Sequence, residues 1–232
     1  AYGSSQAYVV YGNAAGTGVN LSSGTIAPSL GFKIIGASGG QLGIDVSRAG
    51  DLNGDGLSDV IVGENGSVSA YVLYGKSTVN SGYDFSAGSI ASSDGFKITG
   101  YSMSDFGRRV FNAGDFNGDG LDDLIIGSTQ FSTFGAAYLV YGSTSGSNLN
   151  LSSNGAIPAS NGFRITAQQN GALFGNSVSS AGDVNGDGLA DVVVGALGTS
   201  STAGAAYVIY GNTTGAGIEI TAGPGNIASS SG

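Results

Sequence analysis

The sequence predicts an all-β protein built from β-propeller blades, each a four-stranded antiparallel sheet. First, short runs of β-branched and aromatic residues, bounded by Gly, Ser and Asn, recur about every ten to fifteen residues, which is typical of folds with many short strands. Second, three motifs return along the chain with one common period. Third, no segment shows helical periodicity of useful length.

The common period is 64 to 68 residues, and it is set by three motifs. The acidic motif Asp-x-Asn-Gly-Asp-Gly-Leu-x-Asp occurs at residues 51–59, 115–123 and 183–191, which we name the first, second and third acidic loops. Gly-Phe-Lys/Arg-Ile occurs at residues 31–34, 95–98 and 162–165. Ala-Tyr-x-x-Tyr-Gly occurs at residues 7–12, 70–75, 137–142 and 206–211.

Within one period the motifs predict four strands, named A to D. Strand A follows a Phe-Gly pair, at residues 106–107 and 174–175, which Leu42-Gly43 replaces in the first copy. An acidic loop connects strand A to the apolar strand B, the tyrosine motif forms strand C and the Gly-Phe motif forms strand D. Alternation places Tyr71 and Leu73 on one face of strand C and Val72 on the other, so we expect sheets packed on both sides.

The predicted organisation is a single repeat array over residues 1–232, with thirteen strands. Residues 1–41 form a half blade with strands C and D, 42–105 and 106–173 form two blades, and 174–232 form a blade that lacks strand D. About three blades plus a partial one are too few for a familiar ring. We therefore expect either a fragment of a longer propeller or a subunit that self-associates through its incomplete blades, as a homo-oligomer or fibre.

Composition narrows the possible functions. The net charge is −9, and nine of the sixteen acidic residues are the three Asp at positions 1, 5 and 9 of the acidic loops. The seven Lys and Arg form no basic stripe, so we expect no nucleic-acid partner. Cys, His and Trp are absent, which excludes thiol catalysis and histidine-dependent triads. No apolar stretch approaches the ~18 to 20 residues of a membrane span.

Catalytic carboxylate pairs are not expected either. Glycoside hydrolysis needs two carboxylates flanking one bond. The acidic residues outside the acidic motif share no motif of their own, and the sequence offers no way to bring two of them together. They are Asp45, Glu64, Asp84, Asp94, Asp105 and Glu219. We therefore expect that the protein is not an enzyme.

Each acidic loop has the donor pattern of a calcium site. Calcium takes six to eight oxygen ligands, and positions 1, 3, 5 and 9 supply side-chain oxygens while position 7 supplies a carbonyl oxygen. Glycines at positions 4 and 6 let the chain curl around an ion. We expect three Ca²⁺ ions, held by Asp51, Asn53, Asp55, Leu57 and Asp59; by Asp115, Asn117, Asp119, Leu121 and Asp123; and by Asp183, Asn185, Asp187, Leu189 and Asp191. Asp122 is an extra acid that we expect to face solvent.

Two alternatives bear on these loops. An EF-hand requires Glu at position 12 and flanking helices, but Val62, Ile126 and Val194 stand there. Asx-rich hairpin turns without metal are the other alternative. Three carboxylates within nine residues would repel one another without a cation, so we favour calcium in a structural role.

The order of the motifs resembles a known repeat. Phe-Gly, then Gly-Asp-x-Asn-Gly-Asp-Gly-x-x-Asp, then an apolar run ending in Gly195, then Ala-Tyr-x-x-Tyr-Gly, is similar to the FG-GAP repeat of integrin α-subunit β-propellers and their bacterial secreted relatives. Leu42 departs from the pattern, and integrin-like propellers have about seven blades. The resemblance implies a noncatalytic, calcium-stabilised module for adhesion, protein–protein interaction or assembly, secreted or on a bacterial cell surface, whose protein or glycan ligand is unidentified.

A carbohydrate-binding or accessory domain of a secreted polysaccharide-active protein is the alternative function. Aromatic residues outside the repeat pattern would favour it, because such residues could form a sugar platform. Tyr83 and Tyr101 are the notable ones.

Overall fold

The computed structural model describes residues 4–12, 16, 18–78, 82–101, 105–130, 134–151, 154–167, 173–198, 203–214 and 218–220. These residues form sixteen β-strands and, within those ranges, no helix. The strands are β1 (Ser4–Val10), β2 (Gly31–Ser38), β3 (Leu42–Gly50), β4 (Asp59–Glu64), β5 (Ser69–Leu73), β6 (Tyr83–Asp84), β7 (Gly95–Thr99), β8 (Arg109–Gly114), β9 (Asp123–Ser128), β10 (Ala136–Val140), β11 (Leu149–Asn150), β12 (Gly162–Ala167), β13 (Leu173–Gly182), β14 (Asp191–Leu197), β15 (Ala205–Ile209) and β16 (Ile218–Ile220).

Strands A to D form antiparallel sheets in the order expected. The two complete blades run β3–β4–β5–β7 and β8–β9–β10–β12, and all neighbours within them are antiparallel. The partial sheets are β1–β2, with strands C and D, and β13–β14–β15, with strands A, B and C. The described sheets do not close into a ring. The prediction of an all-β fold made of four-stranded blades is therefore confirmed.

A fifth strand joins several of the sheets, and it was not predicted from the sequence. The strands β6, β11 and β16 follow strand C of one blade, yet each pairs in parallel with strand D of the preceding blade. Ile34 lies opposite Tyr83, for example, and Ile98 lies opposite Leu149. The predicted count of thirteen strands was therefore three short of the sixteen described.

The apolar core lies between neighbouring sheets. Every residue of β5 is buried. Val72 packs in a cluster with Phe106 and Tyr138 of the following blade, whereas Tyr71 and Leu73 pack on the other face in a cluster that includes residues of the preceding half blade. The expectation that strand C is covered on both faces agrees with this arrangement, because each complete blade has another sheet packed on either side of it.

Close backbone contacts explain why glycine stands near the end of strand B and directly after the Phe of the Phe-Gly pair. A Cβ atom built on Gly63 would lie 1.9 Å from the carbonyl oxygen of Gly107, and one on Gly127 would lie 2.1 Å from that of Gly175. Gly107 and Gly175 have φ of 85° and 83°, a region that favours glycine. Neighbouring blades therefore touch through main chain at these points, which leaves no room for a side chain.

Candidate metal-binding loops

Each acidic loop closes the hairpin between strands A and B of one blade. The first loop begins after β3, which ends at Gly50, and leads into β4 at Asp59. The second and third loops connect β8 to β9 and β13 to β14 in the same way. Because the three hairpins are equivalent in the repeat, the loops lie at the same end of their blades.

The loop winds around the carboxylate of its first residue. In the first loop, Asp51 Oδ1 accepts hydrogen bonds from the N–H groups of Gly54 at 2.8 Å and Asp55 at 3.0 Å, and Oδ2 accepts one from Gly56 at 2.9 Å. The glycines make the winding possible, with φ of 75° at Gly54 and 83° at Gly56. The corresponding bonds to Asp115 and Asp183 are 2.7 to 3.1 Å long.

Positions 3 and 5 face outward and brace each other. Asn53 Oδ1 accepts from the Asp55 N–H, the Asn53 side-chain amide donates to Asp55 Oδ2, and both distances are 3.0 Å. Asp55 Oδ1 also accepts from the Leu57 N–H at 2.8 Å. The same three bonds recur in the second and third loops. The residues predicted at positions 1, 3, 5 and 7 are thus brought together in each loop.

The aspartate at position 9 is buried beneath its loop. Asp59 is 0% exposed, and its two carboxylate oxygens accept from the N–H of Leu52 at 2.9 Å and of Gly75 at 2.8 Å. Asp123 and Asp191 accept equivalent bonds from residues in their loops and from the glycine that ends the tyrosine motif. This residue therefore ties the loop to strand C.

The pKa values of Asp59 and Asp123 are raised. Burial raises the pKa of Asp59 to about 6 and that of Asp123 to about 7, against the lowering effect of the main-chain N–H donors. The nearby carboxylates of Asp55 and Asp119 raise the two pKa values further. Both effects disfavour the ionised form, and a cation beside the carboxylates would oppose both.

The donor set of each loop suits a hard cation. Carboxylate, amide and carbonyl oxygens are the ligands that calcium prefers, and a carboxylate oxygen that accepts one N–H keeps lone pairs for a metal. Across the described residues, no three Asp, Glu, His or Cys side chains converge as a metal-holding group by themselves. A cation in these loops would therefore need the Asn oxygen and the main-chain carbonyl in addition to carboxylates, and the fifteen ligands remain a prediction.

Asp122 does not face solvent, so that expectation was wrong. Its Oδ2 accepts a hydrogen bond from the N–H of Asp51, in the loop of the preceding blade, at 2.8 Å. A main-chain bond from Asp122 N–H to the Asp51 carbonyl, at 3.2 Å, joins the same two loops. Ser143, which follows the tyrosine motif of the same blade as Asp122, also donates its N–H to the Leu52 carbonyl at 2.8 Å. Consecutive loops are therefore in direct contact.

Five of the acidic residues outside the loops accept hydrogen bonds or form an ion pair within the described structure. Asp45 Oδ2 accepts from the Val110 N–H at 3.0 Å, Asp94 pairs with Lys76, and the buried Asp105 accepts from the side chains of Ser128 and Thr129 and from the Gln130 N–H. Glu64 accepts from the Ser67 hydroxyl, and Asp84 from the Ser86 N–H. The side chain of Glu219 lies outside the described structure.

Of the two aromatics considered for sugar binding, Tyr83 is partly buried and packs against other rings. Its ring meets Phe32 edge to face with centroids 5.5 Å apart, and it lies against the cluster that contains Phe85. Tyr101 is also partly buried. No helix that could cross a membrane is found over the described ranges.

Comparisons with known proteins agree with the fold. The model of an FG-GAP-like repeat matches residues 51–126, which contain the first two loops, and the model of an FG-GAP repeat matches residues 174–209, which contain the third. Over these residues the chain carries FG-GAP repeats and is similar to integrin alpha subunits, so the predicted resemblance is confirmed.

Individual integrins show how far this similarity extends. Integrin alpha-4 of Xenopus laevis is 30% identical over 163 residues, which are 64% of this chain and 14% of the integrin. Integrin alpha-PS5 of Drosophila melanogaster is 30% identical over 66% of this chain and 15% of the integrin. Integrin alpha-V of Gallus gallus is 29% identical over 75% of this chain and 16% of the integrin. The similarity thus spans less than a fifth of these relatives.

Proposed function

We propose that this chain is a noncatalytic extracellular interaction module whose blades are stabilised by three calcium ions, one in each acidic loop. The observation that carries the proposal is the recurrence of one hydrogen-bonding pattern in all three loops, with the same residue types at positions 1, 3, 5, 7 and 9. Loops that only had to turn the chain would not need three aspartates each.

The proposed role of calcium is charge compensation. Asp51 and Asp55 carry like charges close to the buried Asp59, and both raise the pKa of Asp59. A divalent cation held by positions 1, 3, 5, 7 and 9 would neutralise these carboxylates and fasten the A–B hairpin. Calcium binding would then contribute directly to the free energy of unfolding.

Thermal unfolding with and without calcium tests this proposal. We expect the melting temperature to be markedly higher in millimolar calcium than in excess chelator, because a loop that binds only when folded gains about 1.4 kcal/mol at a tenfold excess of ion over Kd. Magnesium at the same concentration should stabilise less, since it requires octahedral geometry and dehydrates reluctantly. A melting temperature that chelator leaves unchanged would refute the calcium role.

The extracellular interaction role is supported by the similarity to integrin alpha subunits. Labelling of intact source cells and of their medium with an antibody to this chain tests the location. We expect signal on cells that have not been permeabilised, or in the medium. Signal only after permeabilisation would contradict an extracellular role.

The carbohydrate-binding alternative loses part of its support because Tyr83, one of its two aromatics, packs against Phe32 and Phe85. A glycan array probed with the calcium-loaded chain separates the two functions. We expect no specific glycan to bind, and saturable binding to one glycan class would favour the alternative.

A further inference from the structure

The second acidic loop holds the main chain of the first ligand in the first loop. Asp51 donates its N–H to Asp122 Oδ2 at 2.8 Å, and its carbonyl oxygen accepts from the Asp122 N–H at 3.2 Å. The Asp51 carboxylate accepts the N–H groups of Gly54, Asp55 and Gly56. Asp122 therefore fixes, through two hydrogen bonds, the main chain of the residue around which the first loop winds.

The contact between the two loops is tight. A Cβ atom built on Gly50 would lie 2.2 Å from Asp122 Oδ2, so glycine before the loop leaves the space that this carboxylate occupies. The side chain of Leu121 approaches Gly54, with its Cδ2 3.0 Å from the position of a Cβ there. Residues 121 and 122 thus cover positions 1 and 4 of the first loop.

The next junction provides an internal comparison. Ala190 stands where Asp122 stands in the second loop, and its N–H donates to the Asp115 carbonyl at 3.0 Å. Leu189 also approaches Gly118 as Leu121 approaches Gly54. The main-chain and leucine contacts therefore recur at both junctions, while the carboxylate is present only at the first. The first loop has Ser58 at this position, and its side chain is exposed.

We propose that Asp122 is a positioning residue for the first calcium site: it supplies no ligand there, but it sets the calcium affinity of that loop by fixing the main chain of Asp51. The inference rests on the proposed calcium binding. Groups that hydrogen-bond to metal ligands orient them, and their removal weakens metal affinity by roughly 10- to 100-fold. Through Asp122, the blade that follows the first loop controls how well that loop binds its ion.

A calcium titration followed by NMR at single glycines tests the proposal. The N–H groups of Gly56, Gly120 and Gly188 each bond to the first aspartate of their own loop, so each reports one site. The midpoint for each glycine is the calcium concentration at which its N–H signal has completed half of its change. In ¹⁵N-labelled Asp122→Ala, we expect the midpoint for Gly56 to rise roughly tenfold, while the midpoint for Gly188 stays unchanged.

Two control variants separate positioning from charge. Asp122→Asn keeps an oxygen acceptor without the charge, so it should restore the midpoint at Gly56 to near the wild-type value. Ser58→Ala changes the same loop position where the side chain is exposed, and it should leave all three midpoints unchanged. Asp122→Ser, which copies the residue of the first loop, replaces the alanine variant if that variant does not fold.

Several results would overturn the proposal. One is an unchanged midpoint at Gly56 in Asp122→Ala. Another is a rise at Gly56 in Asp122→Asn as large as that in Asp122→Ala, which would indicate that only the charge matters. The third is a rise at Gly188 as large as that at Gly56, which would indicate a general loss of structure. If no glycine of the wild-type chain responds to millimolar calcium, calcium binding itself is refuted and the inference falls with it. The wild-type titration therefore distinguishes the failure of the function from the failure of the positioning role.

Discussion

The aspartates of one acidic loop perform two different tasks. Asp123, at position 9, is fully buried and accepts hydrogen bonds from the N–H groups of Phe116, Asn117 and Gly142. Asp119, at position 5, lies on the exposed side of the loop, where it accepts from the Leu121 N–H. Position 9 therefore holds the hairpin together whether or not an ion is bound, while the proposed calcium binding is the main role left for the carboxylate at position 5.

This division predicts different effects of two alanine substitutions. Asp123→Ala should lower the free energy of unfolding by about 2 to 4 kcal/mol in chelator as well as in calcium, because buried N–H groups lose their acceptor. Asp119→Ala should change the free energy of unfolding little in chelator. In calcium, it should remove most of the stabilisation that an ion in the second loop would provide. Urea unfolding under both conditions measures this, and an Asp123→Ala variant as stable as wild type in chelator would contradict it.

Gly50, which precedes the first acidic loop, is required both by its backbone conformation and by the close packing of Asp122 against it. Gly50 and Gly182 have similar positive φ, 78° and 71°, so alanine at either should cost about 1 to 2 kcal/mol of backbone strain. A Cβ on Gly50 would in addition clash with the side chains of Asp122 and Asn112, whereas nothing lies within 4 Å of one on Gly182. We expect Gly50→Ala to be clearly less stable than Gly182→Ala in urea unfolding with calcium present, and equal losses would argue against a tight junction.

At the residue scale, the sequence predicts the members of each loop but not the contacts between loops. Spacing within nine residues is enough to place Asp51, Asn53 and Asp55 together, because the glycines between them force the chain to curl. The bond from Asp51 to Asp122 joins residues 71 positions apart. No local pattern distinguishes such a residue from a solvated acid, and only the packing of two blades brings it into contact.

At the element scale, strands A to D were predictable because their motifs recur and their apolar patterns are long. The fifth strand was not, because β6 and β11 have only two residues each and their alternation is too short to separate from a loop. Their partners also belong to another blade. Sequence order therefore gives no indication that β6 completes the sheet of β2.

Phe85 tests the importance of this extra strand. It follows β6, is 1% exposed, and stacks on Tyr71 with ring centroids 4.4 Å apart, while its N–H donates to the Ile35 carbonyl. Phe85→Ala should lower the free energy of unfolding by about 3 to 5 kcal/mol, through lost burial and a cavity. Phe111→Ala is the control and should cost much less, because Phe111 is 37% exposed. Similar losses for both variants in urea unfolding would contradict the role of β6.

At the scale of the whole molecule, the outer edge of β15 differs from the corresponding edges of the complete blades. Strands β5 and β10 each pair with a strand D, and Ala70 and Ala137 on them are 0% exposed. Ala206 is the equivalent residue of β15, which pairs only with β14 in the described part of the chain, and it is exposed. An open strand edge offers unpaired N–H and carbonyl groups to another chain.

We propose that this chain self-associates through β15, and Ala206→Lys tests it. A lysine on an edge strand opposes pairing, so the variant should have a lower mass in light scattering than the wild type at the same concentration. Ser22→Lys adds the same charge at an exposed position away from this edge and should behave like the wild type. A wild-type chain that stays monomeric at all concentrations would exclude self-association.

The parallel fifth strand also determines how cooperatively the array unfolds. Since β6 and β11 each lie in the chain of one complete blade but in the sheet of the blade before it, neither complete blade can unfold without removing a strand from its neighbour. Repeat proteins in which such neighbour contacts dominate lose their structure cooperatively along the array. Loss of order in one blade would therefore spread to the next, and the array would melt as a single unit rather than blade by blade.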